Sequence, residues 1–418
     1  MSNLLNSHIG RREDKCIFVV PLLFGFSGDA VNERQLAKAI KRFCDVHAYS
    51  LAPLLQFLRN IRNKVEFTKL RQETGFRFAV PGVFFPYILG FFSTLIAGLL
   101  IAIIASVKKP RFIYIRSSQL ALPFIWLKRL HKAKIVVKIP AIIEDELKNQ
   151  GVFRYHPIEL KITRFLIPRI DRYVFYHADV IAVPSPLMFY EFCRRRLVSP
   201  KKRVVYVPAG VDFDKIRKIK ENYVKEHGRR EGNSFVVGFV GSLAWWQGVD
   251  ILVRAVNIFE KRGNVKVKLM IVGDGPLRGY ISTLCNKLNV NCVITGFIPH
   301  EEALKKMAEL DVLVLPRPRF SSTETVIPIK VIEAWALGVP VIMTRHKVLE
   351  FIGTRDHEHL IMCEPDPYDV ADKIEYLLHS KEIREKIAKN GVTLAKNFDY
   401  SFIAKKLLEA VLDGGAGW

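Results

Sequence analysis

Pro328, Lys330 and Glu333 lie within the stretch Pro328-Ile-Lys-Val-Ile-Glu333-Ala-Trp-Ala-Leu-Gly338-Val-Pro340-Val-Ile342. Lysine and glutamate three apart fall on the first turn of a helix. Pro328 opens that helix, and Gly338-Val-Pro340 ends it before a buried strand. Unpaired N–H groups at a helix start attract phosphate, and a lysine beside them adds a full positive charge. The carboxylate can accept two hydrogen bonds from a sugar diol. Together these groups suit a nucleoside diphosphate with its ribose.

Three strand-to-helix turns upstream have matching chemistry. Gly238-Phe-Val-Gly241-Ser242-Leu-Ala-Trp245-Trp246-Gln247-Gly248 follows a strand, and its glycines let a ligand approach the backbone. Val272-Gly273-Asp274-Gly275-Pro276 is a second such turn. Thr295-Gly296-Phe297-Ile-Pro299-His300 is a third, where a flat base can lie against the chain. Each alone is equally well a connecting turn.

The elements that must hold these residues alternate between strand and helix. In the first half, apolar runs at 16–23, 112–116, 134–139, 178–184 and 204–207 predict buried parallel strands, with helices at 30–43 and 119–130. A second set begins at 235, with strands at 235–240, 267–272, 291–295, 311–315 and 339–343. Between them, 213–233 is highly charged and reads as a linker. The predicted division is a first domain over 1–212, a linker over 213–233, a second domain over 234–398, and a helix in 399–418 that crosses back to the first domain. Both domains are expected to be α/β and doubly wound, with ligand at the carboxyl ends of the strands.

The 418 residues are 50% hydrophobic and 25% charged, with a net charge of +23. Residues 1–210 hold 34 Lys and Arg against 14 Asp and Glu; residues 211–418 hold 30 against 27. The basic surface therefore belongs to the first half. No zinc-finger, RNA-recognition or basic-zipper pattern is present, so the surplus points to an anionic membrane surface or an acidic substrate rather than nucleic acid. No charged residue occurs from Phe78 to Val107. That run is long enough to span a bilayer, but strands on either side should share one sheet, so a helix over 87–107 lying in or against the membrane is favoured over a crossing. The six scattered cysteines form no C-x-x-C pair, and no secretory leader is evident. These features predict a reducing cytoplasmic setting without structural zinc.

In order along one chain, the motifs resemble glycosyltransferase family 4, a family of GT-B fold with two Rossmann-like domains facing a cleft. The resemblance rests on Gly241-Ser-Leu243 with Gly248, Gly273-Asp-Gly-Pro276, Gly296-Phe-Ile-Pro299, Asp311-Val-Leu-Val-Leu-Pro316 and Glu333-Ala-Trp-Ala-Leu-Gly-Val-Pro-Val341. It extends to Pro208-Ala-Gly-Val-Asp212 and Ala178-Asp-Val-Ile-Ala-Val-Pro-Ser185. Two departures matter. Where the family often carries a loop arginine and lysine on the diphosphate, this chain has Ser242 and Gln247. The family's paired glutamates are usually eight apart, but here that position is Thr325, with Glu324 one further back. The chain is similar to the branch with a P-x-K-x-x-E motif, in which Lys330 would supply the missing charge, assisted by Arg317 or Arg319.

The resemblance implies a retaining transferase acting on a nucleotide-diphosphate sugar, with no cofactor and no metal. It implies that Glu333 binds the ribose, that Gly241, Ser242 and the N–H groups ahead of Lys330 hold the diphosphate, and that Gln247, Gly273 and Pro328 belong to the same donor site; Lys330, Glu333 and Glu324 are the catalytic candidates. Gly296 and Phe297 would neighbour the base, and Glu324 or Thr325 the transferred sugar. Gly28, Asp29 and Glu144 are the acceptor-side candidates. The acceptor would be a saccharide or a lipid-linked species, in cell-surface polysaccharide or glycolipid assembly at the cytoplasmic membrane face. A non-catalytic sugar-nucleotide-binding subunit and a GT-B epimerase remain as alternatives.

Overall fold

The computed structural model describes residues 14–21, 28–52, 72–81, 88–140, 157–227, 235–263 and 266–413. The chain forms two units, Met1–Ala209 with Tyr400–Trp418, and Gly210–Asp399.

The first unit is built on strands β1 (Lys15–Pro21), β2 (Asp45–Ala52), β3 (Phe76–Pro81), β4 (Phe112–Arg116), β5 (Lys134–Lys138), β6 (Val180–Val183) and β7 (Val204–Tyr206). They form one parallel sheet in the order β3-β2-β1-β4-β5-β6-β7. Apart from Lys15 and Arg116 at their ends, β1 and β4 are apolar, and β6 is apolar throughout, because helices cover both faces. β2 and β3 escape the sequence reading: Asp45-Val-His-Ala-Tyr-Ser alternates polar with apolar residues, and β3 is the sheet edge.

Helix α1 (Gly28–Ile40) follows β1, and α2 (Ile88–Lys108) joins β3 to β4. Both ends of α2 thus return to one sheet, which a membrane crossing would forbid. Its small residues Ala97, Gly98, Ala102 and Ala105 are buried against α3 (Ser118–Trp126), and Gly98 meets the Leu120 carbonyl and Pro123. No helix among the described residues is long and apolar enough to cross a membrane. The unit continues with α4 (Lys128–His131), α5 (Pro157–His177) and α6 (Pro186–Arg194).

The segment expected to be a charged, partly helical linker is helical over Phe213–His227. α7 (Phe213–His227) belongs to the second unit and buries Ile216 and Ile219 while packing on two of its helices. Its charge hid this, since only a narrow stripe faces inward.

The second unit contains β8 (Val236–Val240), α8 (Val249–Gly263), β9 (Lys268–Val272), α9 (Arg278–Leu288), β10 (Cys292–Ile294), α10 (His300–Ala308) and β11 (Val312–Leu315). It continues through α11 (Ser321–Glu324), α12 (Ile329–Leu337), β12 (Val341–Thr344), α13 (Lys347–Phe351), β13 (Ile361–Cys363), α14 (Pro367–His379) and α15 (Lys381–Ala395). The sheet is again parallel, in the order β10-β9-β8-β11-β12-β13. Strand order reverses between β8 and β11, so the crevice for a ligand opens beyond their carboxyl ends. The last helix, α16 (Tyr400–Leu408), returns to the first unit, where Ile403, Leu407 and Leu408 join the core beside α1.

Candidate active site

The loop after β8 and the first turn of α12 meet at the switch point of the second sheet. Gly241 leaves β8 at φ 136°, and a Cβ there would collide with the Lys330 ammonium. Gly248 closes the loop at φ 70° with no room for a side chain against the Pro316 carbonyl. Between them, Trp245 packs edge-on against Phe320, with ring centroids 4.8 Å apart, and this anchors the loop to the segment following β11. Gln247 is buried, and its Oε1 accepts a hydrogen bond of 3.2 Å from Lys330 Nζ.

Lys330 makes no ion pair among the described residues; its ammonium lies 4.5 Å from the centre of the Phe239 ring. The residue is part-exposed as a whole, but burial around the ammonium, then the nearby Arg317 charge, push its pKa down to about 7 against the opposing pull of Glu333. Arg317 is likewise without an ion pair among the described residues: its Nε is enclosed without a hydrogen-bond partner there, and burial lowers its pKa to about 10. Neither cation is ion-paired to a carboxylate among the described residues, an arrangement that an anion would stabilise. The N-cap Pro328 places no side chain over the first N–H groups of α12, which adds the helix dipole to the same charge.

Glu333, only 5% exposed, lies one turn along α12. Its Oε1 is 2.6 Å from His300 Nε2, at the start of α10. Sequence reasoning passed over His300 as an orienting group because the pair is 33 residues apart.

The remaining candidates fall into two groups. Gly241, Gly273 and Gly296 line up at the ends of β8, β9 and β10: Gly241 N–H bonds to the Val272 carbonyl, and Gly273 bridges to Gly296. Ser242 and Phe297 are exposed there, Phe297 at 62%. Glu324 stands apart. One oxygen accepts the Lys347 N–H at 2.8 Å; the other is 3.5 Å from His346 Nδ1 and 3.9 Å from Arg319. Burial opposes its ionisation, but these hydrogen bonds prevail and lower its pKa. The carboxylate expected to touch the transferred sugar is thus engaged in holding its own loop. Thr325 is buried, and its hydroxyl donates to the Ser321 carbonyl. Arg319 is committed to Glu364 at 2.7 Å, leaving Arg317 as the partner of Lys330.

On the first unit, Gly28 and Asp29 open α1, while Glu144 lies outside the described residues. A buried acid that the sequence reading missed, Glu33, pairs with Lys138 at 2.9 Å and Arg116 at 3.5 Å.

Substituting Gly241→Ala should displace the Lys330 ammonium and strain the loop by about 1–3 kcal/mol. The expected outcome is roughly ten-fold weaker nucleotide-sugar binding with a modest fall in melting temperature; calorimetric titration beside a thermal melt checks both.

The chain is similar to known proteins in sequence and in fold. Residues 234–380 match the family model for glycosyl transferases group 1. A capsular polysaccharide biosynthesis glycosyltransferase of Staphylococcus aureus is 25% identical over 302 residues, covering 69% of this chain and 76% of that protein. An uncharacterized glycosyltransferase of Methanocaldococcus jannaschii is 30% identical over 245 residues, covering 58% of this chain and 53% of that protein. The chain spans about half the length of the first curated relatives it matches, 53%, 53% and 51%. The crystal structure of Anabaena HepE in complex with UDP superposes with a TM-score of 0.70 at 14% identity, covering 96% of this chain and all of that one. Two parallel-sheet units of Rossmann type, with the second carrying a sequence similar to the glycosyl transferases group 1, give this chain the GT-B fold.

Proposed function

We propose that the protein is a retaining glycosyltransferase that moves a sugar from a nucleotide-diphosphate sugar to a saccharide or lipid-linked acceptor. The observation that carries this reading is the enclosed, unpaired cation pair Lys330 and Arg317 beside the Gly241 loop. A diphosphate is the anion whose size and charge fit two cations and a helix N-terminus. Two similar structures, of HepE with UDP and with UDP-glucose, support a donor of this class.

The C1–O bond to the β-phosphate breaks and the acceptor oxygen bonds to C1 on the same face. The acceptor proton passes to the departing phosphate oxygen. Charge grows on that phosphate in the transition state, so a preorganised cation there lowers the barrier directly. Glu333, held by His300, accepts hydrogen bonds from the ribose diol and fixes the donor. Lys330 and Arg317 supply the positive charge. The relation to the capsular polysaccharide enzyme supports a role in cell-surface polysaccharide or glycolipid assembly.

The test is release of nucleoside diphosphate from a panel of nucleotide sugars, with membrane lipid extract as the source of acceptor. Turnover is expected from the wild type for one donor. A donor that binds but is never turned over would move the protein to a non-catalytic binding role. Interconversion of sugar epimers without transfer would make it an epimerase.

A further inference from the structure

We propose that the outer face of α2 is a docking surface for an anionic lipid bilayer. Small residues of α2 face α3, while Ile96, Leu99, Leu100, Ile103 and Val107 point away, from 41% exposed at Leu99 to 80% at Val107. These positions follow the helical period, so they form one continuous stripe. The stripe contains no charge, whereas the outward face of a helix in water is ordinarily polar. Trp126, at the end of α3, and Leu130, on α4, are 57% and 60% exposed, and α4 packs directly against α2.

The occupant is identified by the charges around the stripe. Lys108 and Lys109 at the end of α2, with Arg129 and Lys132 on and after α4, are all exposed and make no ion pair among the described residues. Their neighbours differ: Lys128 pairs with Asp179 and Arg111 with Asp14. Four such cations beside an aliphatic stripe flanked by Trp126 and Leu130 are the pattern of a helix lying in the plane of an anionic membrane. A second copy of this chain would bring the same four cations against one another. Docking of this kind places the protein on a surface where a lipid-linked acceptor is concentrated, and it goes beyond the transferase reading without depending on it.

Sedimentation of the full chain with vesicles tests the proposal, comparing pure phosphatidylcholine with a phosphatidylcholine–phosphatidylglycerol mixture. The assay needs neither donor nor acceptor, so its outcome is independent of catalysis. The wild type should pellet with the anionic vesicles and bind neutral ones at least about ten-fold more weakly. The triple substitution Ile96→Asn, Leu100→Asn, Ile103→Asn should reduce binding by about ten-fold or more. Lys108→Glu with Arg129→Glu should reduce it by about twenty-fold and remove most of the salt dependence. If the triple variant loses its melting transition, Val107→Asn alone carries the apolar arm. Equal binding by wild type and variants, or no binding to either vesicle, would overturn the proposal. So would a concentration-dependent dimer that the apolar substitutions dissolve, because the stripe would then serve self-association.

Discussion

Lys330→Met should cut donor turnover by about 10²–10³ while making the unliganded protein more resistant to heat. The two effects have one cause. The ammonium is enclosed beside Arg317 with no carboxylate bonded to it, so its charge is costly until an anion arrives. The pH dependence gives the sign. Its pKa falls from 10.5 to about 7 in the folded chain, so between these values the unfolded chain holds the extra proton. Below pH 7 the wild type carries the full cost of the buried charge, and that cost fades as pH rises toward 10.5. The melting advantage of the methionine variant should therefore be greatest below pH 7 and should vanish near pH 10.5. Donor affinity moves in the same direction. A nucleotide sugar whose phosphates do not titrate near neutrality should bind the wild type more weakly as pH rises above 7, by up to about ten-fold per unit. Lys330→Arg, which keeps its charge, should flatten that profile. A methionine variant with unchanged turnover, or a wild-type affinity independent of pH from 6 to 9, would remove Lys330 from the diphosphate site.

The sequence made this helix legible because its signals are local. Pro328, Gly338 and the three-residue spacing of Lys330 and Glu333 fix the start, the end and the facing of α12 within a dozen residues. The strands after which the site opens were equally visible, being apolar on both faces. Less local facts were hidden. Choosing Arg317 over Arg319 depends on Glu364, 45 residues beyond Arg319, which captures one guanidinium and leaves the other without a partner. The engagement of Glu324 depends on the Lys347 N–H, 23 residues away. Gln247 read as the loss of a cationic loop residue. In the fold it bonds to Lys330, 83 residues downstream, so an amine from α12 enters the loop itself. The sequence of α7 reads as a partly helical connection because charge dominates its composition, although Ile216 and Ile219 lie on one helical face and anchor it to the second unit. What the sequence conceals is the pairing of charges across long separations. That pairing decides which cations are spent on structure and which remain for a ligand.

Glu333→Ala should lower kcat/KM for the donor by about 10²-fold, mostly through KM, and should also erase discrimination at the ribose. The carboxylate is 5% exposed, and its one hydrogen bond among the described residues, to His300, uses one oxygen, leaving acceptor capacity for a diol. Hydrogen bonds to a charged acceptor contribute about 1.5–3 kcal/mol each, and a site built around such bonds rejects a ligand that lacks its hydroxyl. The wild type should accordingly prefer the ribose donor over its 2′-deoxy counterpart by roughly 10–100-fold. The alanine variant should treat the two alike. Truncation removes one hydrogen bond of His300, but that ring is 43% exposed by side chain and can bond to water, so the fold should lose little stability. Glu333→Gln separates geometry from charge: it keeps an acceptor oxygen and should recover part of the ribose preference, with a smaller KM defect than alanine. His300→Ala should fall between the two, since it removes only the group that orients the carboxylate. If the alanine variant lost kcat at unchanged KM and kept its ribose preference, Glu333 would belong to the reacting centre rather than to the sugar of the nucleotide. The carboxylate would then act on the developing charge at C1, one helical turn from the lysine proposed to hold the leaving group.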